Sequence, residues 1–125
     1  MTYKVVDKFT QVVGIARRST DETKQQDSIE AQRNAIDCVC DSYPLNLDKS
    51  FAIDGIIERD GSGLTVERSD LDAAIKHCRA NKITAILVAE LSRFSREDTQ
   101  DAVGRIETLQ NAGVDLLICN RMPRL

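Results

Sequence analysis

Histidine is nearly missing from this chain: a single one, His77, stands among 125 residues. Catalysis by a serine–histidine pair, or by a histidine-rich metal site, has almost nothing to work with. His77 itself falls in a helical pattern, where a structural role is expected. Cysteine occurs at 38, 40, 78 and 119, but no C-x-x-C pair or neighbouring histidine supplies the spacing of a zinc site. These four lie inside periodic apolar segments and read as reduced, mostly buried thiols. No cofactor loop and no metal-ligand set is expected.

Long apolar runs are lacking too, so no bilayer-spanning helix is expected. The opening MTYKVVDKFT interleaves Lys4, Asp7 and Lys8 with its few apolar residues, unlike a secretory signal. A cytoplasmic location follows, with no membrane partner. Nor is there an excess of positive charge: a net charge of -3 argues against gripping nucleic acid by overall charge. Arginine nevertheless predominates among the basic residues, and several arginines flank strand ends, which suits bidentate recognition of an oxyanion at one locus.

What is present is an alternation of strand and helix patterns in one domain spanning residues 1–125. TQVVGIAR (10–17) is an apolar, β-rich run of the kind covered on both faces. Asp27 and Glu30 have capping-box spacing, and Ile29, Ile36, Val39 or Cys40, and Tyr43 recur on one face of a helix over 28–43, closed by Pro44. KSFAID (49–54) reads as a short strand, and the glycine-containing stretch from 55 to 70 as a long polar loop. A second helix starts at Ser69, with Leu71, Ala74, Ile75 and Cys78 at helical spacing. ITAILVAEL (83–91) is the strongest strand. A third helix follows Ser95, its stripe running through Val103, Ile106 and Leu109 to a stop at Gly113. VDLLICN (114–120) is a last strand. Strands alternating with helices imply right-handed crossovers: an α/β fold of three layers, with a mostly parallel sheet of four to five strands and helices on both faces.

In such sheets function gathers at the carboxyl ends of the strands. Strand one delivers Arg17, Arg18 and Ser19 there, and the strand ending at 91 delivers Ser92, Arg93, Phe94, Ser95 and Arg96. Arg59 and Arg68 reach the same edge if the polar loop folds back. Taken singly, RRSTDE is a solvated arginine pair before a turn serine, RFSR is a capped helix start, and Gln32 is an exposed helical glutamine. Their convergence is what points to chemistry, because clustered arginines repel unless an anion such as a phosphate compensates them.

GIARRSTDETKQQDSIEAQRNAI (14–36) resembles the opening of the serine recombinases, the resolvases, invertases and large serine integrases. Their first strand ends in A-R-x-S, here Ala16 to Ser19, and a helix beginning S-[IL]-x-x-Q follows, here Ser28, Ile29 and Gln32. Ser62 and Gly63, then Arg68 in ERSDLDAAI, keep the family order. ILVAELSRFSR stands where the family commonly reads L-D-R-[LF]-[SG]-R.

The resemblance implies transesterification on DNA through a 5'-phosphoserine on Ser19. Arg17, Arg68, Arg93 and Arg96 would hold the phosphate, and Gln32 would position the phosphate or the serine. It also implies a resolvase-like fold, DNA as partner, a dimer and a synaptic tetramer in the full-length protein, and a mobile-element or phage-integrase origin. The polar stretch DETKQQD is closer to the large integrases than to the small resolvases.

Two departures stand out. Ser92 replaces the family's aspartate, removing a carboxylate, and the sequence stops at Leu125, before the long helix and DNA-binding module that family members carry. An isolated catalytic domain is therefore expected. A second reading, an inactive resolvase-like module that associates with other recombinase subunits, draws on the same two departures. An unrelated nucleotide-binding domain has neither G-x-G-x-x-G nor G-x-x-x-x-G-K-[ST] in support.

Overall fold

The computed structural model describes residues 11–19, 29–43, 45–61, 68–91, 94 and 99–122. Within them lie β1 (Gln11–Ser19), α1 (Ile29–Ser42), β2 (Asn46–Leu47), β3 (Ile56–Gly61), α2 (Arg68–Asn81), β4 (Ala85–Val88), α3 (Thr99–Asn111) and β5 (Asp115–Ile118). A single 3-10 turn, Cys119–Arg121, follows β5.

β1 is the hub. It pairs in parallel with β2 at Gln11 and Val12, with β3 from Gly14 to Ser19, and with β4 from Val13 to Ile15. β4 in turn pairs in parallel with β5. Alternate residues of a parallel strand offer both main-chain groups to the same edge. Val12 accepts a hydrogen bond from Asp48 and Gly14 donates one to Gly55, so β2 and β3 share one edge of β1 and β4 takes the other.

The period-2 alternation sorts side chains onto two faces. Val12, Ala16, Ile56, Leu87 and Leu117 pack under Ile36 and Cys40 of α1. Val13, Ile15, Ile57, Ile86, Val88 and Ile118 pack under Leu71, Ala74 and Cys78 of α2 and Leu109 of α3. The result is the three-layer, parallel five-stranded α/β arrangement that the sequence pattern implies.

At Gly14 the layers approach closely. A Cβ there would stand 3.0 Å from Ile56 Cγ1 and 3.1 Å from Ile36 Cδ1, closer than side-chain atoms normally pack. Gly113 has φ +77°. It donates to the Gln110 carbonyl while Val114 donates to Leu109, a Schellman closure of α3.

Three expectations are corrected. Residues 49–54 are not a strand: the chain turns there, with Ala52 and Asp54 at φ 48° and 49°, and the strand is β3, inside the stretch read as a loop. β3 hides because it is an edge strand rich in charge. Ile56 and Ile57 enter the core, whereas Glu58 accepts 2.6 and 3.0 Å hydrogen bonds from Arg33 of α1. α2 begins at Arg68, so Ser69 is inside the helix rather than its cap. Val103 is 47% exposed and does not belong to the buried stripe of α3.

Cys40 and Cys78 are buried, Cys119 is half-buried and Cys38 is exposed, and none is in a disulfide. Burial pushes the Cys40 and Cys78 thiols up to about 11 and Cys119 to about 12, so all three are protonated at neutral pH.

His77 is structural, as its position suggests. Its Nε2 lies 2.7 Å from Asp48 Oδ2, and its ring stacks on Phe51 with centroids 4.5 Å apart, which ties α2 to the turn after β2. The Ser50 hydroxyl first, and then His77, donate hydrogen bonds that hold the Asp48 carboxyl below its ordinary value of 3.8. A depressed carboxylate binds fewer protons folded than unfolded, so its stabilisation is complete above pH 3.8 and is lost as pH falls below it. Thermal unfolding followed from pH 5 downward is expected to show a decline below about 4 that is shallower in Asp48→Asn.

Candidate active site at the carboxyl end of the sheet

The carboxyl end of β1 is built around a buried arginine. Arg17 shares the strand parity of Val13 and Ile15, so its side chain rises on the α2 and α3 face, where it is only 1% exposed. A guanidinium stays ionised at any accessible pH, and burying one is costly unless anions and hydrogen bonds compensate it.

β4 ends opposite Ile15, so two residues later the β4 edge of β1 has no strand beside it. Gln32 of α1 takes that place. The Arg17 N–H donates to Gln32 Oε1 at 2.9 Å, and Gln32 Nε2 donates to the Arg17 carbonyl at 2.8 Å. A side-chain amide carries one acceptor and one donor group, as a peptide does, and this one completes the ladder for a single residue. Gln32 is 2% exposed, which contradicts its reading as a surface residue and explains why a helix otherwise patterned with apolar residues carries a glutamine facing inward.

Ser19 is the last residue of β1, two residues beyond this lock, with its backbone paired in register to Gly61 of β3. Arg18 is in register with Asp60, and Arg17 with Arg59. Arg68 is the first residue of α2. The side chains of Arg18, Ser19 and Arg68 lie outside the described residues, as do Ser62, Gly63, Ser92, Arg93, Ser95 and Arg96 as a whole. Phe94, between those two arginines in sequence, is fully buried and donates its N–H to the Leu91 carbonyl, which anchors the turn after β4.

The structure thus brings Arg17, Gln32 and the Ser19 backbone together, with α2 starting from the strand beside them. Arg59 is in a strand rather than on a loop folding back, and its guanidinium makes a two-pronged pair with Asp70. Asp70, buried in the first turn of α2, is a residue that sequence reasoning passed over. The available signal was an acidic residue in the first turn of a helix that opens beside an arginine-rich edge. Among the described residues no group of three or more His, Cys, Asp or Glu is placed to hold a metal ion, and no helix is long and apolar enough to cross a membrane.

The family model described as Resolvase, N terminal domain, matches residues 12–124. The chain belongs to this family, that of serine recombinase catalytic domains. Comparison with curated proteins found no match. Among solved structures, the N-terminal catalytic domain of TP901-1 integrase is similar with a TM-score of 0.65 at 18% identity, covering 89% of this chain and 78% of that one. A resolvase family site-specific recombinase from Streptococcus pneumoniae gives 0.63 at 21% identity, covering 89% and 72%. The C-terminal catalytic domain of ISC1926 TnpA, an IS607-like serine recombinase, gives 0.62 at 18%, covering 86% and 68%. At these identities the likeness is one of fold.

Proposed function

We propose that this chain is the catalytic domain of a site-specific DNA recombinase that cuts and rejoins DNA through Ser19. The Ser19 Oγ attacks the scissile phosphorus, forming an Oγ–P bond while the P–O3' bond breaks. The serine proton leaves, and the departing 3'-oxygen gains one. After strand exchange the 3'-hydroxyl attacks the phosphoserine and releases Ser19, so the phosphodiester energy is kept. Arg17, Arg68, Arg93 and Arg96 bind the non-bridging oxygens, where a fixed guanidinium cluster stabilises the charge of the transition state. Gln32 serves the nucleophile indirectly, by fixing the main chain two residues before it. DNA is the partner, the full-length protein works as a dimer that forms a synaptic tetramer, and its origin is a mobile element or phage integrase.

The observation that carries this reading is the buried Arg17 whose main chain is locked by Gln32 immediately before Ser19. Family membership supports the recombinase chemistry proposed for it. The test is to trap the adduct on a nicked suicide substrate with the full-length protein, digest it with trypsin and sequence the modified peptide. Cleavage after Arg18 and Lys24 isolates residues 19–24, STDETK. The nucleotide is expected on Ser19; finding it on Thr20 or Thr23, or no adduct at all, would overturn the assignment.

A further inference from the structure

The pair that sequence reasoning missed extends this reading and rests on it. Arg59 Nε donates to Asp70 Oδ2 at 2.8 Å and Arg59 Nη2 to Asp70 Oδ1 at 2.5 Å. The geometry is a guanidinium–carboxylate fork, which fixes orientation as well as distance. Asp70 is 5% exposed, whereas the Arg59 side chain is 44% exposed. With the guanidinium half in solvent, the pair adds little to folding. Its worth is therefore geometric.

Its placement says which geometry. Arg59 stands beside Arg17 in the β1–β3 register, on the strand that borders the Ser19 segment. Asp70 is two residues after Arg68, in the same first turn of α2. Leu71 and Ala74 hold the following turn in the core, but the first turn of a helix lacks its full set of internal hydrogen bonds and needs outside partners to stay put. The fork supplies one, and it links the start of α2 to the strand next to Arg17. It also occupies the Arg59 guanidinium with a carboxylate, so that Arg59 does not add an uncompensated charge to the arginine cluster.

We infer that Arg59 and Asp70 are positioning residues which set the start of α2, and with it Arg68, relative to Arg17 and Ser19. The distinction from a merely structural ion pair lies in what is lost with it. A misplacement of about 1 Å in a phosphate-binding group can cost roughly 100-fold in rate, whereas the stability involved is small.

The experiment uses the full-length protein with Asp70→Asn, the two single charge reversals Arg59→Asp and Asp70→Arg, and the double reversal. Asp70→Asn is nearly isosteric and is the variant least expected to disturb folding. Covalent-complex formation on a suicide substrate at saturating DNA is expected to slow about 10- to 100-fold, with the half-saturating DNA concentration within about twofold and the melting temperature nearly unchanged. The double reversal is expected to recover at least about tenfold over the worse single reversal. A parent-like rate for Asp70→Asn, or a double reversal no faster than the worse single, overturns the inference.

A second measurement does not depend on the reaction. Inorganic phosphate titrated into the 125-residue chain is expected to shift the NMR amide signals of both Arg17 and Arg68 in the parent, and that of Arg17 alone in Asp70→Asn. If Arg68 responds equally in both, the inference falls. If the parent forms no adduct while this phosphate response behaves as expected, the recombinase reading falls and the positioning role stands.

Discussion

Ser19→Ala is expected to bind recombination-site DNA as the parent does and to form no covalent complex with it, a loss of at least about 10³-fold in adduct yield. The direction follows from the chemistry. Alanine has no oxygen to form the bond to phosphorus. DNA binding is expected to be unaffected because the arginines proposed to hold the phosphate are untouched. A gel shift under native conditions and a denaturing gel of the same reaction separate the two effects. A residual adduct in Ser19→Ala would mean that the nucleophile lies elsewhere and that Ser19 is only the turn residue that its local sequence suggests.

Gln32→Leu is expected to destabilise the fold substantially. Leucine has similar bulk and suits the apolar face of α1, so packing alone would favour it. The cost comes from the Arg17 N–H and C=O, both of which bond to Gln32 on the edge of β1 that β4 no longer covers. A buried main-chain group left without its partner costs about 1–3 kcal/mol, so the pair amounts to roughly 2–6 kcal/mol. For a domain of this size that corresponds to a fall in melting temperature of roughly 6–20 °C. Differential scanning fluorimetry of the purified chain is sufficient to measure it. An unchanged melting temperature would show that water replaces the amide without penalty, and that Gln32 is held for its chemistry rather than for the strand.

Much of the fold was legible because its strongest signals are periodic. The buried runs of β1 and β4, the stripes of α1 and α2, and the stop at Gly113 all express one-face or two-face burial, which hydrophobicity records directly. β3 was missed for the complementary reason. An edge strand needs only one buried face and can carry Glu58, Arg59 and Asp60, so its pattern resembles that of a loop. At the site, Arg17 was separated from Arg18 only by the A-R-x-S resemblance, since the end of the apolar run presents both. The part Gln32 plays at the strand end could not be read, since nothing in the sequence says that β4 stops opposite Ile15 and leaves that edge of Arg17 to be met by a side chain. The Asp70 fork was hidden in the same way: it depends on the distance between a strand and a helix, and no spacing rule encodes that.

Gly14 has consequences well beyond its own surroundings. With no side chain there, α1 sits deep enough for Ile36 to touch the sheet, and Gln32 is one helical turn before Ile36. The depth of the helix is therefore also the reach of the amide that holds Arg17. Swelling the core at residue 14 would lift that amide away from the strand end without touching any polar group. Tuning of the core and tuning of the reactive end are thus a single mechanical problem in this domain, and substitutions selected for one are expected to register in the other.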